Sequence, residues 1–549
     1  MAYAQKRVET SFDYIVVGSG SAGSLLANRL SATPDYTVLV LEAGGSDRNF
    51  WLQLPIGYFR TIYDERFSRQ FDTEPGEGTG GRNIVWPRGR VIGGSSSING
   101  LIFIRGQRED FEDWERLGAK SWSYRDVLPF FRRLENYSGG ENQYRGTLGE
   151  LGVSDLRNDD PSCRAWIAAA QEYGLPFITD FNGETTFGVG AYQLSIKGRW
   201  RSSSATAFLT PALSRPNLTV ISGAHTSRVL FEGQRTVGVE WIENGKVRQA
   251  IAKREVILSA GALQTPQILQ LSGIGSEKLL AAHGIPLKVD APEVGQNLQD
   301  HYQMRVIVRL REKVSLNDQV RNPVKLTLMG LQWLLKASGP LTVGAGQVGG
   351  GACTRYAENG RPDVQFNVMP LSVDRPGAPL HSYSGFTASV WQCHPKSRGN
   401  VRIKSIDPFE QPHIDPNYFG EDADRKVIVE GVKILRKIYS QPSYRDLWDT
   451  EVIPGEDVQT DEQIWDYVRH NGGTVFHCVG TCRMGSDAGA VVDPDLRVRG
   501  VENLRVIDAS VMPQITSANT NAPTLMIAEK GAASILGREA GAQKEHAYV

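Results

Sequence analysis

The sequence predicts an α/β chain (α+β overall). A dinucleotide-binding domain is interrupted by a second domain built on an antiparallel sheet with helices. Three observations carry this expectation. An apolar run, a glycine turn and a helical pattern follow one another between Tyr14 and Glu42. Similar strand–turn–helix units recur near residues 250–310 and again at the C-terminal end. Between them, residues 155–200 and 310–470 hold alternating, strand-like runs and separate helical patterns.

The first unit is complete. Residues 13–17, Asp-Tyr-Ile-Val-Val, suit a buried parallel strand. Gly18-Ser19-Gly20-Ser21-Ala22-Gly23 follows, then a helix over Ser24–Leu30 and a second strand over Thr37–Leu41 that ends at Glu42. In such a unit the first glycine permits the tight turn and the second lets a pyrophosphate approach the backbone. The third lets helix and strand pack closely. The helix N-terminus offers free N–H groups to phosphate. Glu42 is placed to accept from ribose hydroxyls.

A second glycine-rich segment runs from Arg88 to Gly100, with Arg90, Val91, Gly94, Ser95 and Asn99 inside it. Its composition excludes a helix in the first half and allows close approach to a flat ring or a phosphate. Ser95-Ser96-Ser97 lacks the fixed glycines of a nucleophile elbow. Val256–Gly261 reads as a buried strand, and Gln264-Thr265-Pro266 opens the next helix. Leu504–Asp508 is a strand with an acidic end, and Pro523 begins the last helix. Strand-like runs at Asp363–Val368 and Asn400–Lys404 and a helix at Asp424–Ser440 belong to the intervening domain. The dinucleotide domain is accordingly assigned 1–155, 201–310 and 471–549, and the second domain 156–200 and 311–470. The helix at 325–337 is rich in leucine; burial within the second domain is the first expectation, with a mobile lid or a surface touching a membrane as the alternatives.

The chain has 549 residues, 40% hydrophobic and 22% charged, with a formal net charge of -1. That balance excludes the basic field that nucleic-acid binding needs. No long uncharged apolar run suits a spanning helix, which leaves room for peripheral membrane contact only. Met1–Ser11 carries Lys6, Arg7 and Glu9 and lacks a signal core, so a cytoplasmic location is expected. The five scattered cysteines suit reduced thiols. Cys478 and Cys482 lie near His477, but no further ligands stand at metal-binding spacing, so no metal is expected.

These motifs together resemble the glucose-methanol-choline (GMC) oxidoreductases, flavoenzymes that oxidise alcohols with FAD. The resemblance extends over roughly Phe12–Leu536. It implies a Rossmann-like FAD-binding domain with an inserted substrate domain. Gly18, Gly20, Gly23 and Glu42, with Ser21, Ala22 and Ala43 beside them, match the family's adenosine-diphosphate site. Gly89 through Asn99 and Gly100 match its first signature along the flavin, and Gly261 through Gly275 its second. Thr226 falls near the adenine position. His477 falls on the catalytic histidine, Asn521 on a second substrate-facing His or Asn, and Asp508, followed by Ala509, on a carboxylate near the ribityl chain. Gln303, Val475 and Phe476 are candidate substrate-facing residues, and His301 a candidate neighbour of the site. His283, His394, His413 and His546 are read as structural or exposed.

Two departures refine what the resemblance implies. Members with covalent FAD can carry a histidine where this chain has Ile98, so FAD is expected to be noncovalent. Choline-specific members carry a glutamate after the Asp-His motif, where this chain has Tyr302 and Gln303. A neutral primary alcohol, polyol or aromatic alcohol is therefore expected. A neutral histidine (free pKa about 6.5) would take the hydroxyl proton as the hydride moves to flavin N5. Asn521 would donate to the developing alkoxide. The electron acceptor is oxygen, a quinone or a cytochrome. Val475 holds a position that serves oxygen access in some oxidase members. A non-redox lyase and a light-driven flavoenzyme on the same scaffold are the alternatives.

Overall fold

The computed structural model describes residues 10–375 and 377–538. The run Met1–Glu9 and His546 lie outside them. The first apolar run forms strand β1 (Ser11–Val17), followed by helix α1 (Ser21–Ser31) and β2 (Val38–Glu42). The helix starts three residues before the expected Ser24 because the end of the glycine turn is itself its first turn. Strands β3 (Leu218–Ser222), β4 (Ala224–Glu232), β5 (Arg235–Glu243) and β6 (Lys246–Leu258) complete most of the sheet. Its order is β3-β2-β1-β6-β5-β4. The β3, β2, β1 and β6 pairings are parallel, with β1 and β2 joined by a βαβ crossover through α1, and β5 is antiparallel to both neighbours.

Helix α2 (Gly261–Leu271) follows β6. It begins three residues before the expected Gln264 and carries Pro266 in its interior. Pro266 has no N–H, so the carbonyl of Ala262, four residues back, loses its helical donor. The Thr481 hydroxyl donates to that carbonyl at 2.6 Å. A helix defect is thereby used to tether the segment just after His477.

The second sheet is antiparallel throughout. It comprises β7 (Tyr302–Leu310), β8 (Val348–Ala352), β9 (Val364–Met369), β10 (Gly385–Gln392) and β11 (Trp448–Ile453) in the order β8-β9-β10-β7-β11. Short β12 (Gly473–Thr474) adds to β7. Both β7 and β12 lie in stretches that sequence reading gave to the dinucleotide domain. Their alternation is satisfied in the second sheet instead, where β7 sits between β10 and β11. Asn400–Arg402 pairs with His413–Asp415 outside this sheet. Helix α3 (Pro323–Lys336) leaves the sheet between β7 and β8, and α4 (Asp422–Tyr439) packs on β10. Strand β13 (Leu504–Val506) then returns to the first sheet beside the C-terminal half of β6, and α5 (Asn521–Ile535) packs on α1.

Each sheet has its own apolar cluster. One gathers β1, β2, α1 and α5, and the other gathers β7–β10 and α4. Cys482 packs in the first and Cys478 in the second, both as small buried side chains. Helix α3 departs from expectation. Of its apolar residues only Met329 and Trp333 are buried, while Val324 is 67% and Leu335 75% exposed. Only one side of α3 has protein against it, so hydrophobicity alone did not secure burial.

Close packing at the first turn yields a test. A Cβ on Gly23 would stand 1.9 Å from the Gly18 carbonyl oxygen, which belongs to backbone and has nowhere to yield. Gly23→Ala is expected to lower the stability of the purified protein by at least about 2 kcal/mol. Denaturant titration measures this, and an unchanged midpoint would show that the turn relaxes freely.

Candidate active site

Two glycine-rich loops meet above the first sheet. Gly18 turns the chain at φ +94°, and a Cβ on Gly94 would stand 2.6 Å from Gly20 Cα. Glu42, at the end of β2, orders this turn. Its carboxylate accepts from Ser19 N at 2.9 Å, Ser19 Oγ at 2.7 Å and Gly44 N at 2.7 Å. Burial raises its pKa against those bonds. Asp508 lies two residues beyond β13 and accepts from Gly261 N at 2.8 Å, Thr265 Oγ1 at 2.6 Å and Ser510 N at 2.8 Å. It therefore caps the start of α2 and shapes the loop toward α5.

One cavity joins these elements to the second sheet. Gly18, Gly20, Ser21, Ala22, Glu42, Ala43, Gly94, Ser95, Asn99, Gly100, Thr226, Asp508, Ala509 and Asn521 line it, and so do Gln303, Val475, Phe476 and His477. Gly23, Arg90 and Val91 do not. Gly23 packs on Gly18, Arg90 is exposed with its backbone against Gly44, and Val91 is buried with Leu52, Phe67 and Ile98. The signature alternates between cavity and packing faces, which spacing did not reveal. Asn99 is held by buried Arg201, whose Nη1 donates to its Oδ1 at 2.7 Å.

His477 is set by a buried carboxylate. Phe476, the residue before it, adopts φ +66°, a conformation bulky side chains rarely take. Asp300 holds the turn by accepting from His477 N at 2.7 Å, Thr474 Oγ1 at 2.6 Å and the Tyr418 hydroxyl. Arg88 Nη1 donates to the Phe476 carbonyl at 2.8 Å. Burial nevertheless raises Asp300 to a pKa of about 6.

The imidazoles form a directed relay. His301 Nε2 lies 3.0 Å from the Cys393 carbonyl, which only accepts, so His301 carries its proton on Nε2. Burial lowers His301 to a pKa of about 4, so it is neutral and its Nδ1 accepts. His477 Nδ1 lies 3.0 Å from that atom and therefore donates. His477 is itself held well below the usual imidazole range, first by burial and then by His301 and Arg88. Its Nε2 is left as an unprotonated acceptor, 3.1 Å from Asn519 Nδ2.

The partner of His477 is thus Asn519, two residues before the asparagine singled out from sequence. Asn521 Oδ1 accepts from Ser21 Oγ at 2.7 Å and ties α5 to the first turn of α1. Asn521 is the first residue of α5, so its side chain meets the neighbouring helix, while the preceding loop carries Asn519 to the imidazole. The asparagine pair in Asn519-Thr520-Asn521 was the available signal. His394, read as structural or exposed, is half-buried and bonds to Asp110 at 3.0 Å.

The GMC oxidoreductase family pattern covers residues 12–303 in its N-terminal part and 395–528 in its C-terminal part. This chain belongs to the GMC oxidoreductases. It is 41% identical over 529 residues to an alcohol dehydrogenase [acceptor] of Pseudomonas putida, covering 96% of each chain. It is 39% identical over 537 residues to an oxygen-dependent choline dehydrogenase of Photobacterium profundum, covering 96% of this chain and 94% of that one. Among solved structures it resembles pyridoxine 4-oxidase from Mesorbium loti, with a TM-score of 0.87 and 30% identity over 96% of this chain and 99% of that chain.

As a family member the protein is an FAD-dependent oxidoreductase acting on CH–OH donors, with an alcohol substrate and an electron acceptor. The cavity fits that cofactor. Bare backbone of Gly18 and Gly20 borders it, and buried Thr226 Oγ1 on its wall has no protein hydrogen-bond partner. No helix among the described residues is long and apolar enough to cross a membrane.

The Asp300 arrangement predicts a measurable loss. Asp300→Ala leaves the Thr474 and Tyr418 hydroxyls and the His477 N–H without an acceptor. It is expected to cost on the order of 2–4 kcal/mol of stability and to reduce flavin bleaching by alcohol. Thermal unfolding and stopped-flow absorbance test it, and a variant matching the parent in both would remove Asp300 from this role.

Proposed function

We propose that the protein oxidises a neutral alcohol to its carbonyl product, with His477 Nε2 as the base and Asn519 as the donor to the developing alkoxide. The relay from the Cys393 carbonyl through His301 to His477 carries this reading, because it leaves an unprotonated lone pair on the cavity wall. Base assistance of this kind is worth about 10²–10⁴-fold. FAD, when bound, supplies the two-electron acceptor for the carbinol hydrogen. The glycine turn and α1 N-terminus would hold its pyrophosphate, Glu42 its ribose and Thr226 its adenine end. Gly94, Ser95, Asn99 and Gly100 would lie along the ring, and Asp508 near the ribityl chain. Ile98 is buried in an apolar cluster, which supports noncovalent attachment.

The wall chemistry supports a neutral substrate with an apolar body. Phe59, Ile62, Phe71, Leu101 and Met369 line the cavity. Its lining acids are Glu42 and Asp508, both already holding backbone at the dinucleotide end. Arg305 stands on β7, two residues beyond Gln303 and therefore on the same face. A cationic substrate would meet Arg305 with no acid to balance it. Primary alkyl or aromatic alcohols are accordingly favoured over choline.

Variants separate the roles. His477→Ala is expected to slow anaerobic flavin reduction by about 10²-fold or more with FAD retained. Asn519→Ala should slow the same step, whereas Asn521→Ala should loosen FAD while leaving the reduction rate of the loaded fraction near that of the parent. The reverse pattern for the two asparagines would return Asn521 to the chemistry.

The tautomers give an independent check. In ¹⁵N-histidine spectra at neutral pH, His477 should show a protonated Nδ1 and a bare Nε2, and His301 the opposite pair. A bare His477 Nδ1 would overturn the proposed relay. A panel of alcohols, with choline included, tests the substrate class by flavin bleaching.

A further inference from the structure

Helix α3 presents a stripe that the fold does not use. Val324, Leu328, Leu331 and Leu335 recur at i, i+4, i+7 and i+11, so they form one line along the helix. All four are exposed, Leu328 at 57%. Met329 and Trp333 occupy the opposite side and face the protein. Lys325 and Lys336 stand at the helix's two ends, both exposed. Between Asp318 and Glu358 the chain carries Arg321, Lys325, Lys336 and Arg355 and no acid.

The apolar surface continues beyond the helix. Phe50 and Trp200 are 52% and 40% exposed, and their rings lie 6.2 and 4.9 Å from that of Trp333. Soluble monomers rarely leave such a contiguous patch bare. An outward line of leucines with aromatic shoulders and cationic flanks has the chemistry of a helix lying in a bilayer interface. The lack of acids in the sequence from 319 to 357 matches a negatively charged leaflet, where each nearby lysine or arginine adds about 1 kcal/mol.

We propose that α3 docks this enzyme on the surface of an anionic lipid bilayer, with Val324, Leu328, Leu331 and Leu335 among the acyl-chain heads. The placement has a consequence for the cavity. Met329, on the inner side of α3, shares an apolar cluster with Phe59, Met369 and Val373, and those three line the active-site cavity. The lipid-facing stripe is thus one layer of side chains from the cavity wall. An apolar alcohol or a lipid-soluble acceptor would reach the site from the membrane.

Holoenzyme mixed with vesicles of phosphatidylcholine alone, or with added phosphatidylglycerol, and then sedimented tests this. The parent should pellet with the anionic vesicles. L328E/L331E should bind them at least about tenfold more weakly while keeping the parent rate with a water-soluble dye acceptor, which shows that it folds. K325E/K336E should lose the preference for anionic over neutral vesicles. The proposal is overturned if the parent stays in the supernatant with anionic vesicles, or if L328E/L331E binds them as the parent does. It is also overturned if light scattering shows a dimer that L328E/L331E splits while vesicles bind neither, since the stripe would then be covered by a second copy of the chain.

Discussion

The site depends on one buried carboxylate. Asp300 accepts from the His477 backbone, Thr474 and Tyr418, and so holds Phe476 in a left-handed conformation that its side chain disfavours. Without that turn, His477 would not meet both His301 and Asn519. Keeping that carboxylate charged costs stability. A carboxylate with a folded pKa of about 6, against an ordinary 3.8, disfavours the native state by about 3 kcal/mol at neutral pH. The sign follows from proton uptake: between those two values the folded form holds the proton more tightly, so raising the pH works against folding.

Long-range ties then bring distant segments to that turn. Ser21 and Asn521 join helices from the two ends of the sequence. Thr481 fills the carbonyl that Pro266 leaves without a donor, and Asp508 caps the same helix α2 at its start. Each tie satisfies a backbone or side-chain group that would otherwise lack a protein partner. The same bonds that complete α1, α2 and α5 therefore aim the cavity wall.

The cavity itself divides by chemistry. Its first-sheet end is glycine backbone with two fully engaged carboxylates. Its second-sheet end is aromatic and aliphatic, with Arg305 and neutral imidazoles. Low dielectric at that end keeps His477 uncharged and its Nε2 lone pair unprotonated, because a charged imidazole there would lack both water and an acid partner. Helix α3 extends the apolar character of this end to the outer surface.

Much of this was legible in the chain. The strand–turn–helix from Ser11 to Glu42, the strand at Val256–Leu258 and the final helix follow from local periodicity and glycine spacing, and the family motifs pointed to His477. Helix starts were misjudged by two or three residues because glycine and proline mark a helix's first turn without fixing its first residue. Sequence spacing did not say which of Asn519 and Asn521 faces the imidazole. Nor did it disclose that Val91 packs inward, that β7 belongs to the second sheet, or that α3 keeps its leucines in solvent. Each of those outcomes turns on which surface a side chain meets. Composition and periodicity determine what a segment is able to bury or donate. Only the assembled fold supplies the neighbour, because hydrogen bonds and packing act over a few ångströms between residues hundreds of positions apart.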